Sequence, residues 1–178
     1  MHPHPHLRPR PQPRPLPRAE HQRQAPLLAS LWFGLCGALA GGYSCALESL
    51  DTYPQSALEI RSATGRQWFT IRVADTDARQ EQGLMFVPSL PADQGMLFPM
   101  AEPHILNFWM KNTLIPLDLL FITTRGRIAC IAAMAKPLAL DLITCPKPAK
   151  AVLEIAGGES AKRGIKVGDS VRHAVFRR

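Results

Sequence analysis

Short segments in which apolar and polar residues alternate are the feature of this sequence that most limits its fold. Phe69, Ile71 and Val73 occupy every second position of one such segment, and Leu58 and Ile60 do the same in the segment before it. A period of two places these side chains on one face of a β-strand. The pattern therefore predicts a β-hairpin with one face in the core.

Glycine and proline divide the rest of the chain into similar short segments. Thr76 is placed to cap a short helix that ends at Gly83, and residues 159–163 can form one further helical turn. Further strands are predicted at residues 96–98, 117–122, 127–134, 152–155 and 170–176. Strands this short and this closely spaced indicate a mainly β fold, namely a single-domain β-sandwich or partly closed barrel with one or two short helices.

The stretch 105–122 is the most informative part of the body, because two alternating segments flank four residues that can form a loop. If those four residues close a hairpin, Phe108 pairs with Phe121 on the core face. The same register sets Lys111 opposite Asp118 on the other face. Apolar and oppositely charged pairs thus agree on one register, and we predict a hairpin here.

The N-terminal third reads as an export segment. The first 25 residues hold seven prolines, five arginines and four histidines, and so have too little apolar surface to fold. Residues 26–46 are mostly apolar and end in the small-x-small tripeptide Ser44-Cys45-Ala46, as in a secretory signal. An uncleaved signal-anchor is the alternative. We expect an exported protein, periplasmic or secreted, or else anchored in the inner membrane. A linker is expected at 47–56 and a single β-rich domain at 57–178.

Most of the formal net charge of +7 belongs to that leader. Before Leu47 the chain has five of its 21 Lys and Arg residues and a single one of its 14 Asp and Glu residues. The remaining 16 basic and 13 acidic residues give the rest of the chain a net charge of +3. A nucleic-acid-binding surface would show a Lys/Arg run with interleaved aromatic residues, and the sequence after Leu47 has none. We expect no nucleic-acid partner, and membrane contact only through the N-terminal segment if it stays uncleaved.

Two of the four cysteines, Cys130 and Cys145, lie outside the export segment. An even number of cysteines in an oxidising compartment favours a disulfide. A bridge between them is therefore predicted, provided that the fold brings their Cα atoms within about 7 Å. Two unrelated buried thiols are the alternative.

Four short sequences resemble a known family. The most specific is FWMKNTLIPLD at residues 108–118, and the others are GLMF at 83–86, GMLF at 95–98 and GIKVGD at 164–169. Together they are similar to domain of unknown function family 192, a group of small, β-rich prokaryotic proteins that often follow an export signal. The resemblance covers roughly residues 57–175. It implies the fold and the compartment, and it brings no established activity, cofactor or catalytic residue.

The first functional hypothesis is a binding module. The predicted hairpin would place an aromatic ring, amides and charged groups on the face opposite the core, which suits a polar ligand of the cell envelope such as a glycan. The candidate ligand-binding residues are Asn107, Trp109, Lys111, Asn112, Asp118 and Trp68. Such a site needs Trp109 to be partly exposed in a concavity. Simple packing of Trp109 in the core is the alternative.

Two further hypotheses are that the protein binds a soft metal ion or that it is a hydrolase. Met85, Met96, Met100 and His104 lie close together in the sequence, and thioether and imidazole ligands would select Cu(I) in an exported protein. An envelope hydrolase is the other alternative, although the sequence after Leu47 has no recognisable nucleophile motif. We expect a protein that is not an enzyme and needs no cofactor.

Overall fold

The computed structural model describes residues 47–176 of the chain. Within this range the chain is mainly β, with a seven-stranded sheet, a two-stranded sheet and two short α-helices, so the predicted fold class is confirmed. The strands are β1 (Gln55–Ser62), β2 (Gly65–Val73), β3 (Gln94–His104), β4 (Asn107–Phe108), β5 (Leu117–Ile122), β6 (Ile128–Ala135), β7 (Ile143–Thr144), β8 (Ala149–Ala156) and β9 (Ser170–Arg172). The helices are α1 (Asp77–Gln82) and α2 (Glu159–Lys162), with single 3-10 turns at Leu50–Thr52 and Ala174–Phe176.

The large sheet has the strand order β6-β5-β8-β3-β2-β1-β9. Its strands pair antiparallel except for β2 and β3, which are parallel and are joined through α1. An isolated bridge between Arg127 and Ser170 links the two edges of the sheet. The sheet is therefore curled into a partly closed barrel.

Each face of the large sheet carries its own apolar cluster. One cluster includes Leu58, Phe69 and Leu153, which lie on the inner side of the curled sheet. The other includes Met96 and Phe121 and is covered by the segment that follows α1 and by the small sheet of β4 and β7. Side chains on one strand alternate between the two clusters, because successive residues of a strand point to opposite faces.

The predicted N-terminal hairpin and the first helix are confirmed. β1 and β2 pair antiparallel, with Leu58 opposite Phe69. The Thr76 hydroxyl accepts a hydrogen bond from the backbone N–H of Arg79, which caps α1. Gly83 ends the helix with a φ of 50°, a left-handed value that glycine tolerates best.

The predicted central hairpin is wrong. β4 is two residues long and pairs with β7, whereas β5 lies between β6 and β8. Phe108 and Phe121 still pack edge to face, with ring centroids 6.1 Å apart, but they are not register partners. The physical reason is that Asp118 is fully buried and accepts hydrogen bonds from other segments, whereas Lys111 is exposed. The two side chains therefore do not form the predicted ion pair. The binding face that was built on this register does not form.

The leader at 1–25 and the apolar segment at 26–46 lie outside the described residues. Residues 47–56, expected to be a linker, pack onto the domain, since Tyr53 is buried and Arg79 donates hydrogen bonds to the Glu48 carboxylate. No helix within 47–176 is long and apolar enough to cross a membrane.

The structure contains the Cys130–Cys145 disulfide, with Cα atoms 5.9 Å apart. Cys130 lies on β6 of the large sheet, and Cys145 directly follows β7 of the small sheet. The bond therefore connects the small sheet to the large one. It also closes a short loop, which reduces the conformational entropy of the unfolded chain and so stabilises the folded state.

The buried carboxyl group of Asp118 connects three segments of the domain. One oxygen accepts hydrogen bonds from the backbone N–H groups of Met134 (2.8 Å) and Gly158 (2.9 Å). The other accepts from the N–H (2.9 Å) and the hydroxyl (2.6 Å) of Ser160. Gly158 has a φ of 86°, which a residue with a Cβ rarely adopts. Asp118 thus joins the end of β6 to the start of α2.

We expect Asp118→Ala to lower the free energy of unfolding by about 3 kcal/mol or more, because each buried donor that loses its partner costs about 1–3 kcal/mol. Urea unfolding measures the effect. Asp141→Ala, at an exposed loop position, is the control and should change stability by less than about 0.5 kcal/mol. A loss below about 1 kcal/mol for Asp118→Ala would show that its hydrogen bonds are not structural.

Candidate functional site

A cleft of about 450 Å³ opens on the side of the large sheet that the small sheet covers. One wall is α1 with the residues that follow it, and the other is the chain from the end of β3 through β4. The lining consists of residues 80–85, Phe98, Met100, residues 104–109 and Glu154. A volume of this size is within the range of small-molecule sites.

The α1 wall is held by contacts from two adjacent side chains of the helix, Arg79 and Gln80. The Gln80 amide donates to the carbonyl oxygens of Ala74 (3.2 Å) and Pro99 (2.8 Å), which connects the helix to β3. Arg79 forms ion pairs with Glu48 (2.6 Å) and Asp75 (2.7 Å). These contacts fix the wall, so the cleft is largely formed before any ligand binds.

Trp109 lies on the opposite wall and is 46% exposed. Phe108, the residue before it, packs edge to face on Phe98 with ring centroids 5.3 Å apart. The Lys111 ammonium lies 5.0 Å from the centroid of the Trp109 ring. The Asn107 carboxamide oxygen accepts a hydrogen bond from the Thr144 hydroxyl at 2.6 Å. The wall therefore presents an aromatic ring and an amide that are held in place.

Glu154 is the buried acid of this cleft. It lies on β8 between Met96 of β3 and Leu119 of β5, its register partners, and is 5% exposed. Among the described residues, no hydrogen-bond or ion-pair partner contacts its carboxyl group. Burial among apolar side chains raises the pKa of Glu154 to about 8, because the charged form loses its hydration.

The sequence analysis did not identify Glu154 as a site residue. The signal was present, because Glu154 is the one charged residue in the run AVLEIA at 151–156, where the neighbouring residues are all apolar. A strand that is buried on both faces reads as a continuous apolar run, so a carboxyl group within it is unusual. Position in the strand alone does not show that this carboxyl group faces a cleft.

The predicted ligand-binding residues are divided among different places. Asn107 and Trp109 line the cleft, whereas Lys111 and Asn112 line a separate depression of about 320 Å³ beside Phe86. Asp118 is buried in its hydrogen-bond network. Trp68 is 55% exposed at another depression, between β1, β2 and the C-terminal segment. The structure thus brings two of the six together at this cleft.

Three of the four predicted metal ligands line the same cleft, namely Met85, Met100 and His104. Met96 does not, since it is fully buried in the core beneath. The Met85 sulfur accepts a hydrogen bond from the Asn112 amide at 3.7 Å. Within residues 47–176, no group of three or more His, Cys, Asp or Glu side chains is arranged to hold a metal ion.

The family model for DUF192, described as "Uncharacterized ACR", matches residues 59–173. The chain belongs to this family. The predicted resemblance is therefore confirmed, and the match extends from the middle of β1 through β9. No curated protein gives a significant match.

Two solved structures share the fold of this family member. A protein of unknown function from Novosphingobium aromaticivorans DSM 12444 is 38% identical with a TM-score of 0.68, over 72% of this chain and 91% of that one. A "putative transcription regulator" from Sinorhizobium meliloti 1021 is 34% identical with a TM-score of 0.67, over 69% of this chain and 96% of that one. Both similarities support the fold.

The raised pKa of Glu154 predicts a pH-dependent stability. Between the ordinary pKa of 4.5 and about 8, the folded chain keeps a proton that the unfolded chain has released. Stability therefore falls as the pH rises through this window, by up to about 1.4 kcal/mol per pH unit. Glu154→Gln removes this loss, so the variant should gain on the wild type from pH 5 to pH 8.

Urea unfolding at pH 5, 6.5 and 8 measures the difference between the wild type and Glu154→Gln. Glu81→Gln is the control, because Glu81 lines the same cleft but is exposed, and it should show no such trend. A difference that stays constant with pH would mean that Glu154 does not titrate in this window.

Proposed function

We propose that this protein is an exported, non-catalytic binding module of the cell envelope that takes a small polar ligand, such as a glycan, in the cleft beside Trp109. The observation that carries the proposal is the half-exposed Trp109 ring on the wall of a concavity of about 450 Å³. Aromatic rings of this kind contribute apolar contact at low entropic cost, because they have few rotatable bonds.

Polar groups around the ring support a ligand that carries hydroxyl or amide groups. Gln80, Gln82 and Asn107 line the cleft, and within residues 47–176 the Gln80 carboxamide oxygen and the Asn107 amide nitrogen have no hydrogen-bond partner, whereas the Gln82 amide is bonded to the Glu48 backbone. An amide both donates and accepts hydrogen bonds, which matches a hydroxyl group of a sugar. Apolar side chains such as Leu84 and Leu106 complete the lining. A mixture of aromatic, apolar and a few polar groups is typical of small-molecule sites.

The N-terminal segment and the disulfide support export. Residues 26–46 have the apolar region and small-residue exit of a secretory signal. The Cys130–Cys145 bond is of the kind that persists in oxidising compartments. Both observations support our proposal of a periplasmic or secreted protein, with an inner-membrane anchor as the alternative.

Soft-metal binding is a second candidate function, favoured by one observation. Met85, Met100 and His104 line one cleft, and the His104 Nδ1 atom lies 2.9 Å from the backbone oxygen of Glu102, which leaves Nε2 directed elsewhere. Two thioethers and an imidazole would suit Cu(I). Their presence in the polar-ligand cleft means that one experiment with Cu(I) alone and with sugars alone separates the two functions.

The export proposal predicts the N-terminus of the mature protein. Expression of the full chain should give an exported species that begins near Leu47, because a signal of this form is cleaved after small residues. N-terminal sequencing measures this. A product that begins at Met1 and stays with the membrane fraction would show the anchored alternative instead.

The binding proposal predicts the effect of two tryptophan substitutions. A panel of sugars that includes glucose and N-acetylglucosamine should contain a ligand that raises the melting temperature by at least about 2 °C at saturating concentration. Trp109→Ala should remove most of this shift, because the ligand loses its aromatic contact. Trp68→Ala is the matched control, since Trp68 is similarly exposed at a different place, and it should keep the shift.

Equal losses in the two tryptophan variants would show that Trp109 has no special role. A panel in which no sugar raises the melting temperature of the wild type would contradict glycan binding. The same screen with Cu(I) alone tests the second candidate, for which Met100→Leu should remove any shift.

A further inference from the structure

Glu154 is buried in the lining of the cleft, and its carboxyl group has no hydrogen-bond or ion-pair partner among the described residues. Buried carboxyl groups in proteins are nearly always paired or hydrogen-bonded, because an isolated one loses its hydration without compensation. Asp118, on the other face of the same sheet, follows this rule with four hydrogen bonds. Glu154 departs from it in the lining of a cleft, where a ligand could supply the missing partner.

We propose that the ligand of this cleft carries a cationic organic nitrogen, and that its ammonium group pairs with the carboxylate of Glu154. The inference rests on the proposed function and deepens it, since it assigns a charge to the polar ligand that binds beside Trp109. Glu154 would then be the residue that selects the ligand, while Trp109 contributes contact area.

The charges around the cleft favour a cation. Its titratable lining groups are Glu81 on α1, His104 at the end of β3 and Glu154 on β8, and no Lys or Arg is among the described residues that line it. β5, which also flanks Glu154, contributes the apolar Leu119 to this face. Glu81, and Glu154 once its carboxyl group is ionised, attract a cation and repel an anion, and the Lys111 ammonium beside Trp109 acts in the opposite sense.

The aromatic side of the cleft favours the same ligand. The Lys111 ammonium already lies 5.0 Å from the centroid of the Trp109 ring, which shows that the ring accepts a cation. Trp is the strongest side chain for this interaction, and quaternary ammonium ligands are commonly held by aromatic rings. A ligand nitrogen between the ring and Glu154 would take the place of the exposed Lys111 ammonium and would use both attractions.

A hard metal ion fits the same cleft less well. Ca²⁺ takes six to eight oxygen ligands, and Mg²⁺ takes six. The cleft has two carboxyl side chains, Glu81 and Glu154, and its other heteroatom groups are amides, thioethers and one imidazole. An organic cation needs one carboxylate and an aromatic surface, both of which are present.

Binding of a cation is coupled to the proton of Glu154. Burial holds the pKa of Glu154 at about 8, so at lower pH a ligand cation must displace a proton from the carboxyl group. Affinity for a permanently charged ligand should therefore rise about tenfold per pH unit up to about pH 8, and should level off above it. Glu81 and His104 also line the cleft, and comparison with Glu154→Gln separates their contribution from that of Glu154.

The test is isothermal titration of the purified full chain with matched pairs of ligands. Choline carries a permanent positive charge, and 3,3-dimethyl-1-butanol is its neutral counterpart of the same shape. Glucosamine and glucose differ by an ammonium and a hydroxyl group. At pH 8 we expect choline to bind at least about tenfold more tightly than the alcohol, and its affinity to fall about tenfold between pH 7 and pH 6.

Glu154→Gln should remove the preference for choline and its pH dependence, while Asp141→Asn, at an exposed loop position outside the cleft, should keep both. The melting temperature of each variant shows that it is folded. Equal affinities for choline and the alcohol, or a preference that survives in Glu154→Gln, would overturn the inference. If glucose and N-acetylglucosamine still bind in that case, the proposed function stands without it. If neither sugars nor cations bind, both are wrong.

Discussion

One carboxyl group with four donors, that of Asp118, determines how the central part of this domain is arranged. It receives the backbone N–H groups of Met134, Gly158 and Ser160 and the Ser160 hydroxyl, which come from the end of β6 and from the start of α2. A buried carboxyl group needs hydrogen-bond donors for its two oxygens. The backbone can supply them to Asp118 only where the end of β6 and the start of α2 lie next to β5. The position of β5 between β6 and β8 follows from this requirement together with the apolar packing of both sheet faces.

The same sheet holds a second buried carboxyl group under opposite conditions. Asp118 is the register partner of Ile155, and Leu119 is the partner of Glu154, so the two acids point to opposite faces. Asp118 is surrounded by donors, which makes it a structural group. Glu154 is surrounded by apolar side chains and the cleft, which makes it available to a ligand and raises its pKa. Two carboxyl groups that are buried to a similar extent thus differ in role, because hydrogen-bond donors surround Asp118 and not Glu154.

The parts of the fold that the sequence predicted well depend on neighbours along the chain. The β1–β2 hairpin and the cap of α1 by Thr76 are local, so alternation and capping residues identify them. The central hairpin was wrong although its pairs were chemically sensible, because Lys111 opposite Asp118 competed with donors from residues 134–160. Three hydrogen bonds from backbone N–H groups and one from the Ser160 hydroxyl outweigh one ion pair at a surface. Complementary residues that are close in the sequence cannot show which distant segment will supply the hydrogen-bond donors to Asp118.

By itself the sequence determined the mainly β class, the membership of DUF192, the short capped helix and the choice of the two cysteines that bond. Each of these follows from local periodicity, a specific motif or simple parity. Only the tertiary structure decided that Trp109 and Asn107 share a cleft with Glu154, while Trp68 and Asp118 lie elsewhere. The physical reason is that strands far apart in sequence, β3, β4 and β8, build the cleft together. Their order in space is set by long-range pairing and packing, which no single segment encodes.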